Sequence, residues 1–403
     1  MAMRDNPAVN GRLRGGGLVA GGVALFLAGA AAGGVAAATV AAPAAHPATI
    51  KSCVNVKTRA LTVPRAGRSC PRGTSALTWS VRGPAGPKGA IGPAGVPGWG
   101  KVVSGPGYHI TAPIALASDG SHIWVANFGN QSVTEVKAGD GSFVRNLSGG
   151  SYKFSFPASL TFDGSHFWVA NFGNKSVTEV NASDGSFVRN LSGGSYNFLG
   201  PSSLAFNGSH VWVTNAKNDT VTEVNASDGS FVRNLSGGSY NFGFPQALAF
   251  DGSHVWVANG GNNTVTEVNA SDGSFVRNLS GGSYNFSNPV ALTFDGKHVW
   301  VTNLQNNTVT EVNASDGSFV RNLSGGSYNF LQPNALAFDG RHVWVANSGN
   351  DSVTEVNASD GSWVRTAAGS SLGLSNPRAL VIARQRVWVA DNNSGSLTEL
   401  PPG

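Results

Sequence analysis

Apolar runs of four or five residues alternate with short polar turns from about residue 99 to the end of the chain. Between Pro245 and Asn288, Ala247-Leu-Ala-Phe250 is one such run, and Asp251-Gly-Ser separates it from His254-Val-Trp-Val-Ala258. Thr264-Val-Thr-Glu-Val268 follows, then the turn Asn269-Ala-Ser-Asp-Gly-Ser274, then Phe275-Val-Arg-Asn-Leu279. The pattern predicts four antiparallel strands, because glycine after aspartate supplies the positive φ that a tight hairpin demands. The first two runs are apolar at consecutive positions, so both faces of their sheet must be covered.

Repetition supplies the cover. Trp124, Trp168, Trp212, Trp256, Trp300, Trp344 and Trp388 fall 44 residues apart, each within a version of Asp-Gly-Ser-His-Val-Trp-Val-Ala-Asn. Such a period predicts an all-β fold, a seven-bladed β-propeller of four-stranded blades in which every blade covers its neighbours. An open stack would need distinct polar caps at its ends.

The last copy holds Arg378-Ala-Leu-Val-Ile382, Arg386-Val-Trp-Val-Ala390 and Ser396-Leu-Thr-Glu-Leu400 but no fourth run. At the other end, the segment from Trp99 to Pro113 aligns without a gap on Phe275 to Pro289. A strand near 99–105 is therefore expected to complete the last blade and close the ring, leaving no blade open to edge pairing. That register sets Lys101 against Glu399. In the other blades it sets Glu135 against Arg145, Glu179 against Arg189, Glu223 against Arg233, Glu267 against Arg277, Glu311 against Arg321 and Glu355 against Arg365. It also places Val268 opposite Val276. The charge pairs are expected to be half exposed and worth roughly a few tenths of a kcal/mol each.

With its Trp-Val-Ala-Asn, Asn-x-Val-Thr-Glu-Val and Asp-Gly-Ser-Phe-Val-Arg phrases, the repeat resembles the YVTN and NHL-like families of bacterial β-propellers. The resemblance implies the fold and leaves function open, since one fold hosts binding proteins and enzymes alike.

The front of the chain has a different composition. The net charge of +5 is split, with 12 Lys and Arg against the single acid Asp5 up to residue 101, and 15 against 21 beyond it. A mildly acidic repeat body carries no basic footprint of a nucleic-acid binder. Residues 1–45 read as an export signal, with Arg4, Arg12 and Arg14 ahead of an uncharged Gly/Ala-rich run and small residues at Ala42 to Ala45. Uncleaved, the run is long enough to serve as a membrane anchor. A secreted or surface location is the expectation.

Residues 46–82 contain the only cysteines, Cys53 and Cys70, for which an exported chain predicts a disulfide. The segment resembles a small two-cysteine module that precedes collagen-like stretches in exported bacterial proteins. Residues 83–100 continue with Gly83-Pro-Ala-Gly-Pro-Lys-Gly-Ala-Ile-Gly-Pro-Ala-Gly. Glycine at every third place suits a triple helix and hence a homotrimer, and equally an extended spacer. The propeller occupies 99–403.

Catalysis needs unlike groups converging on one point, yet the polar residues here are periodic. His122, His166, His210, His254, His298 and His342 share one position beside the first turn. Sheets packed about 10 Å apart would hold these histidines too far apart to share a metal. Streptogramin lyase is an enzymatic seven-bladed propeller whose family uses an asymmetric histidine and glutamate set with magnesium. No equivalent set can be carried onto this chain residue by residue, nor can the unlike acids that hold the channel metal of lactonase-type propellers. Asp119, Asp163, Asp251, Asp295 and Asp339 could gather a cation, although turn chemistry explains them equally well. No catalytic residue, metal or cofactor is assigned.

Variation between copies gathers at the link between second and third strands and at the lead into each first strand. These connections emerge on one side of an up-and-down blade. Phe128, Phe156, Phe172, Leu199, Lys217, Phe244, Leu304 and Leu331 are therefore the candidate binding face. The sequence thus reads as a non-enzymatic binding or display module for a protein or wall-polymer ligand. A propeller lyase or lactonase with an unrecognised site is the competing reading. The same residues could instead plug gaps between blades.

Overall fold

Each 44-residue copy folds as the alternation requires. The computed structural model describes residues 100–369 and 372–401 with Cys70 and Arg72, and gives the backbone of Val19–Ala20, Val23–Ala24, Thr49–Asn55, Leu61–Thr62 and Thr74–Ser80. Blade 4 consists of Pro245–Phe250, His254–Asn259, Thr264–Asn269 and Phe275–Leu279, paired antiparallel in that order. Blades 1, 2, 3, 5 and 6 begin at Pro113, Pro157, Pro201, Pro289 and Pro333 and repeat the arrangement. Blade 7 takes Pro377–Ala383, Arg386–Asp391 and Ser396–Leu400 from the end of the chain and its outer strand, Lys101–Val103, from the beginning of the body.

Ring closure follows the predicted register, with Glu399 opposite Lys101 and Leu397 opposite Val103. The charges do not pair as expected. Glu399 takes its ion pair from Arg386, 2.5 Å away, and the Lys101 ammonium donates to the Asp140 carbonyl in blade 1. The substitution of arginine for histidine at the start of this second strand supplies the partner.

Two further expectations are corrected. Glu267 does lie opposite Arg277, but Val268 then faces Phe275, because a bulge displaces Val276. The glutamates are also not half exposed: the side chains of Glu179, Glu223, Glu267, Glu311 and Glu355 are wholly buried, and only the arginines reach solvent. The third strand is interior to a four-stranded blade and both its faces are covered by neighbouring blades.

The seven tryptophans form the inter-blade core. Each is at most 1% exposed, and burying an indole of this size contributes about 4–6 kcal/mol of transfer free energy. Trp256 of blade 4 packs on Val299, Val301 and Val312 of blade 5, and Trp388 of blade 7 packs on Ile123 and Val125 of blade 1 beside Val103. The last contact joins the two ends of the ring.

A second compact unit spans Leu27–Pro97. Within it Thr49–Asn55 is the central strand between Leu61–Thr62 and Thr74–Ser80. The Gly-X-Y stretch up to residue 99 and the Cys53 side chain, hence the expected pairing with Cys70, lie outside the described residues, as does the export segment apart from two short backbone pieces. Among the described residues no helix is long and apolar enough to cross a membrane.

Candidate functional site: the channel mouth and its rim

The first strand of every blade lines the central channel. In each, the register slips between the leading proline and the third residue, as between Pro245 and Ala247, so the second residue is the extra one of a β-bulge. Bulges re-aim the side chain they carry. The seven re-aimed residues are Ile114, Ala158, Ser202, Gln246, Val290, Asn334 and Arg378, and all of them line one cavity of about 200 Å³. This is the end of the channel near the variable connections, because the first strands begin there.

No two of these seven residues are alike. Ile114 and Ala158 join Phe172 and Phe128 in an apolar cluster on the side of blades 1 and 2. Ser202 donates to the Pro245 carbonyl at 3.0 Å and lies 2.9 Å from the Thr214 hydroxyl. The Gln246 amide nitrogen donates to Asn288 Oδ1 at 2.8 Å, while its carbonyl oxygen has no partner. Asn334 is 4% exposed, and neither its Nδ2 nor its Oδ1 has a partner. Burial lowers the pKa of the Arg378 guanidinium from its ordinary value, although arginine keeps its charge at neutral pH.

Sequence reasoning passed over this ring. The signal is present: the residue after each of the seven leading prolines runs Ile, Ala, Ser, Gln, Val, Asn, Arg. The position sits inside an apolar run, where variation reads as ordinary core substitution.

The predicted binding face divides in two. Leu199, Lys217 and Phe244 come together around an open groove of about 720 Å³ between blades 3 and 4. Phe244 holds a φ of 50°, and its N–H donates to Asp219 Oδ1 at 2.7 Å. Phe156 is exposed and its ring lies 4.8 Å from that of Phe128, while Leu331 is exposed over Gly349. Phe172 and Leu304, in contrast, are 6% and 9% exposed. Phe172 packs under the ammonium of Lys217, 4.5 Å from its ring centroid. Phe172 thus fills the seam between blades, and neither it nor Leu304 is displayed.

The histidines and acids are at the opposite ends of the blades. Asp163 Oδ1 accepts from the Ser165 and His166 N–H groups, and its Oδ2 accepts from the Trp168 indole at 2.8 Å. His166 Nδ1 stands 3.3 Å from both Asp163 and Glu179, and Arg189 Nε is 2.7 Å from Glu179. Blades 4, 5 and 6 repeat this network. Burial pushes the Glu179 carboxyl above its usual range, against the pull of Arg189 and His166 and with some help from Asp163. For Asp295 burial pushes the same way, but bonds from the Trp300 indole and the His298 and Lys297 N–H groups hold it below the ordinary value.

Asp163, His166 and Glu179 bring ligand atoms within 4.8 Å of one another, as do the equivalent trios of blades 4, 5 and 6. A cation there would compete with an indole and two backbone N–H groups for the aspartate oxygens and with the arginine ion pair for the glutamate, whose two oxygens accept no hydrogen bond. The repeated contacts of Asp163, His166 and Arg189 around Glu179 tie neighbouring strands together by charge. Nor does the mouth fit magnesium of the kind the lyase resemblance implies, since the described residues lining it include no carboxylate or imidazole and do include Arg378.

Neither a protein-family model nor a curated protein matches the chain in sequence. Solved structures match it in fold. Hydrazine synthase of Kuenenia stuttgartiensis is 17% identical, with a TM-score of 0.62 over 73% of this chain and 97% of that one. A catalytically inactive histidine-to-alanine virginiamycin B lyase from Staphylococcus aureus, solved with quinupristin, is 15% identical, with a TM-score of 0.61 over 75% and 99%. A streptogramin B lyase is 14% identical, with a TM-score of 0.60 over 76% and 98%. Likeness at this level establishes the seven-bladed propeller.

Proposed function

We propose that this chain is a ligand-binding propeller whose recognition surface is the channel mouth and the rim of variable loops around it. The observation that carries the reading is where the seven-fold symmetry breaks. Seven unlike side chains meet at the mouth, whereas the histidines repeat against buried glutamates at the far ends. The basic, signal-like front and the Gly-X-Y stretch support placing the propeller outside the cell, with a wall polymer or surface protein as the larger partner at the groove of Leu199 and Phe244.

A second reading, a propeller enzyme of the lyase type, is favoured by the fold likeness to two streptogramin-cleaving enzymes. The test covers both readings. The full chain is screened by thermal shift against neutral, cationic and anionic small molecules, and each is checked for turnover by mass spectrometry, with quinupristin and magnesium included. We expect ligands whose stabilisation is lost in Leu199→Asp or Asn334→Leu but retained in His254→Asn, with no product formed. Cleavage of quinupristin would replace this reading with the enzymatic one, and ligand shifts indifferent to both face variants would refute the chosen surface.

A further inference from the structure

The mouth is chemically two-sided. On one arc Ile114 and Ala158 are backed by Phe172. On the other, Asn334 and Arg378 come from adjacent blades whose first strands pack side by side. Resting on the binding reading above, we propose that this mouth holds a small organic carboxylate, its charged end on Arg378 and Asn334 and its short apolar body against Ile114 and Ala158.

Two buried amides carry the argument. An unpartnered buried polar atom destabilises the fold, yet Asn334 leaves both side-chain atoms unpaired and Gln246 leaves its carbonyl unpaired, all in one cavity. Asn334 Nδ2 is an unpaired donor in the same cavity as the Arg378 cation, and a donor together with a cation suits an anion's oxygens. A planar guanidinium suits a carboxylate, which it can hold through two parallel bonds. Asn334 Oδ1 and Gln246 Oε1 would accept from a hydroxyl or amine elsewhere on the ligand.

Size and the apolar arc narrow the class. A cavity of about 200 Å³ has room for a small organic molecule. A bare inorganic anion would leave the Ile114 side unfilled.

The test is calorimetric titration of the full chain with isovalerate, with its neutral amide isovaleramide and with inorganic phosphate. One isovalerate should bind, with the amide and phosphate each at least tenfold weaker. Arg378→Gln should cost at least tenfold in isovalerate affinity and abolish the preference over the amide. Asn334→Leu should lose affinity similarly while melting at the same or higher temperature, since it removes the unpaired amide; this guards against loss through misfolding. Absence of isovalerate binding, phosphate binding as tightly, or affinity unchanged in Arg378→Gln would each overturn the carboxylate site. A neutral ligand found at the same mouth would overturn it while sparing the broader binding reading.

Discussion

Asp391 occupies the place of an asparagine in every other blade. Asn171 uses its amide to donate to Thr178 Oγ1 at 2.9 Å and to Ser176 Oγ at 3.2 Å. Asp391 instead accepts from Thr398 Oγ1 at 2.7 Å and from the Ser375 N–H. Burial, with a contribution from Asp351, pushes its pKa up to about 7 against those two bonds. The folded form therefore holds a proton that the unfolded chain releases near pH 4. The stability this provides is complete below that pH and is lost as pH rises toward 7. A rise from 3.8 to about 7 amounts to roughly 4 kcal/mol at most. Asp391→Asn should raise the urea unfolding free energy by roughly 2–4 kcal/mol at pH 8 and hardly change it at pH 4. An equal gain at both pH values would show that charge burial is not the cause.

At the scale of the hairpin, the glycines of one repeat serve different ends. Gly273 has a φ of 74°, and a Cβ there would meet Arg233 Cδ at 2.8 Å and Leu235 Cδ2 at 3.0 Å on the preceding blade. Gly252 has a φ of 102° with nothing within 4 Å. Both Asp-Gly turns read alike in sequence, and only the packing of one blade on the next separates them. Gly273→Ala should cost about 2–3 kcal/mol, combining left-handed strain with overpacking, and Gly252→Ala about 1–2 kcal/mol from strain alone. Parallel urea melts measure the difference, and equal losses would mean that the blade contact yields freely. The bulges belong to this scale too. They are illegible in sequence because an apolar run does not reveal which residue lacks a ladder partner, and the mouth ring is hidden with them.

For the whole molecule the decisive seam is blade 7, made from both ends of the body. Val103 is 2% exposed between Trp388 and the turn at Gly141, and the preceding Val102 is 42% exposed. Val103→Asp should lower stability by on the order of 3–5 kcal/mol, because it buries a charge where the ring closes. Val102→Asp should change it by about 0.5 kcal/mol or less. Thermal unfolding of the two variants decides the matter, since similar melting points would mean that the outer strand is dispensable.

The sequence by itself determined the blade count, the strand order, the closure of Lys101 on Glu399 and the face on which the copies vary. A strict repeat with alternating strands and Asp-Gly turns leaves few arrangements that bury both faces of every sheet. Tertiary structure decided what the individual side chains do. It buried the glutamates by laying blade on blade, buried Phe172 and Leu304 while leaving Phe156 and Leu331 in solvent, and gave Glu399 to Arg386. It also gathered seven residues, 44 apart in the chain, at one mouth. Periodicity records that positions are equivalent, but convergence on the axis depends on the radius of the closed ring and the bulge that turns each side chain toward it.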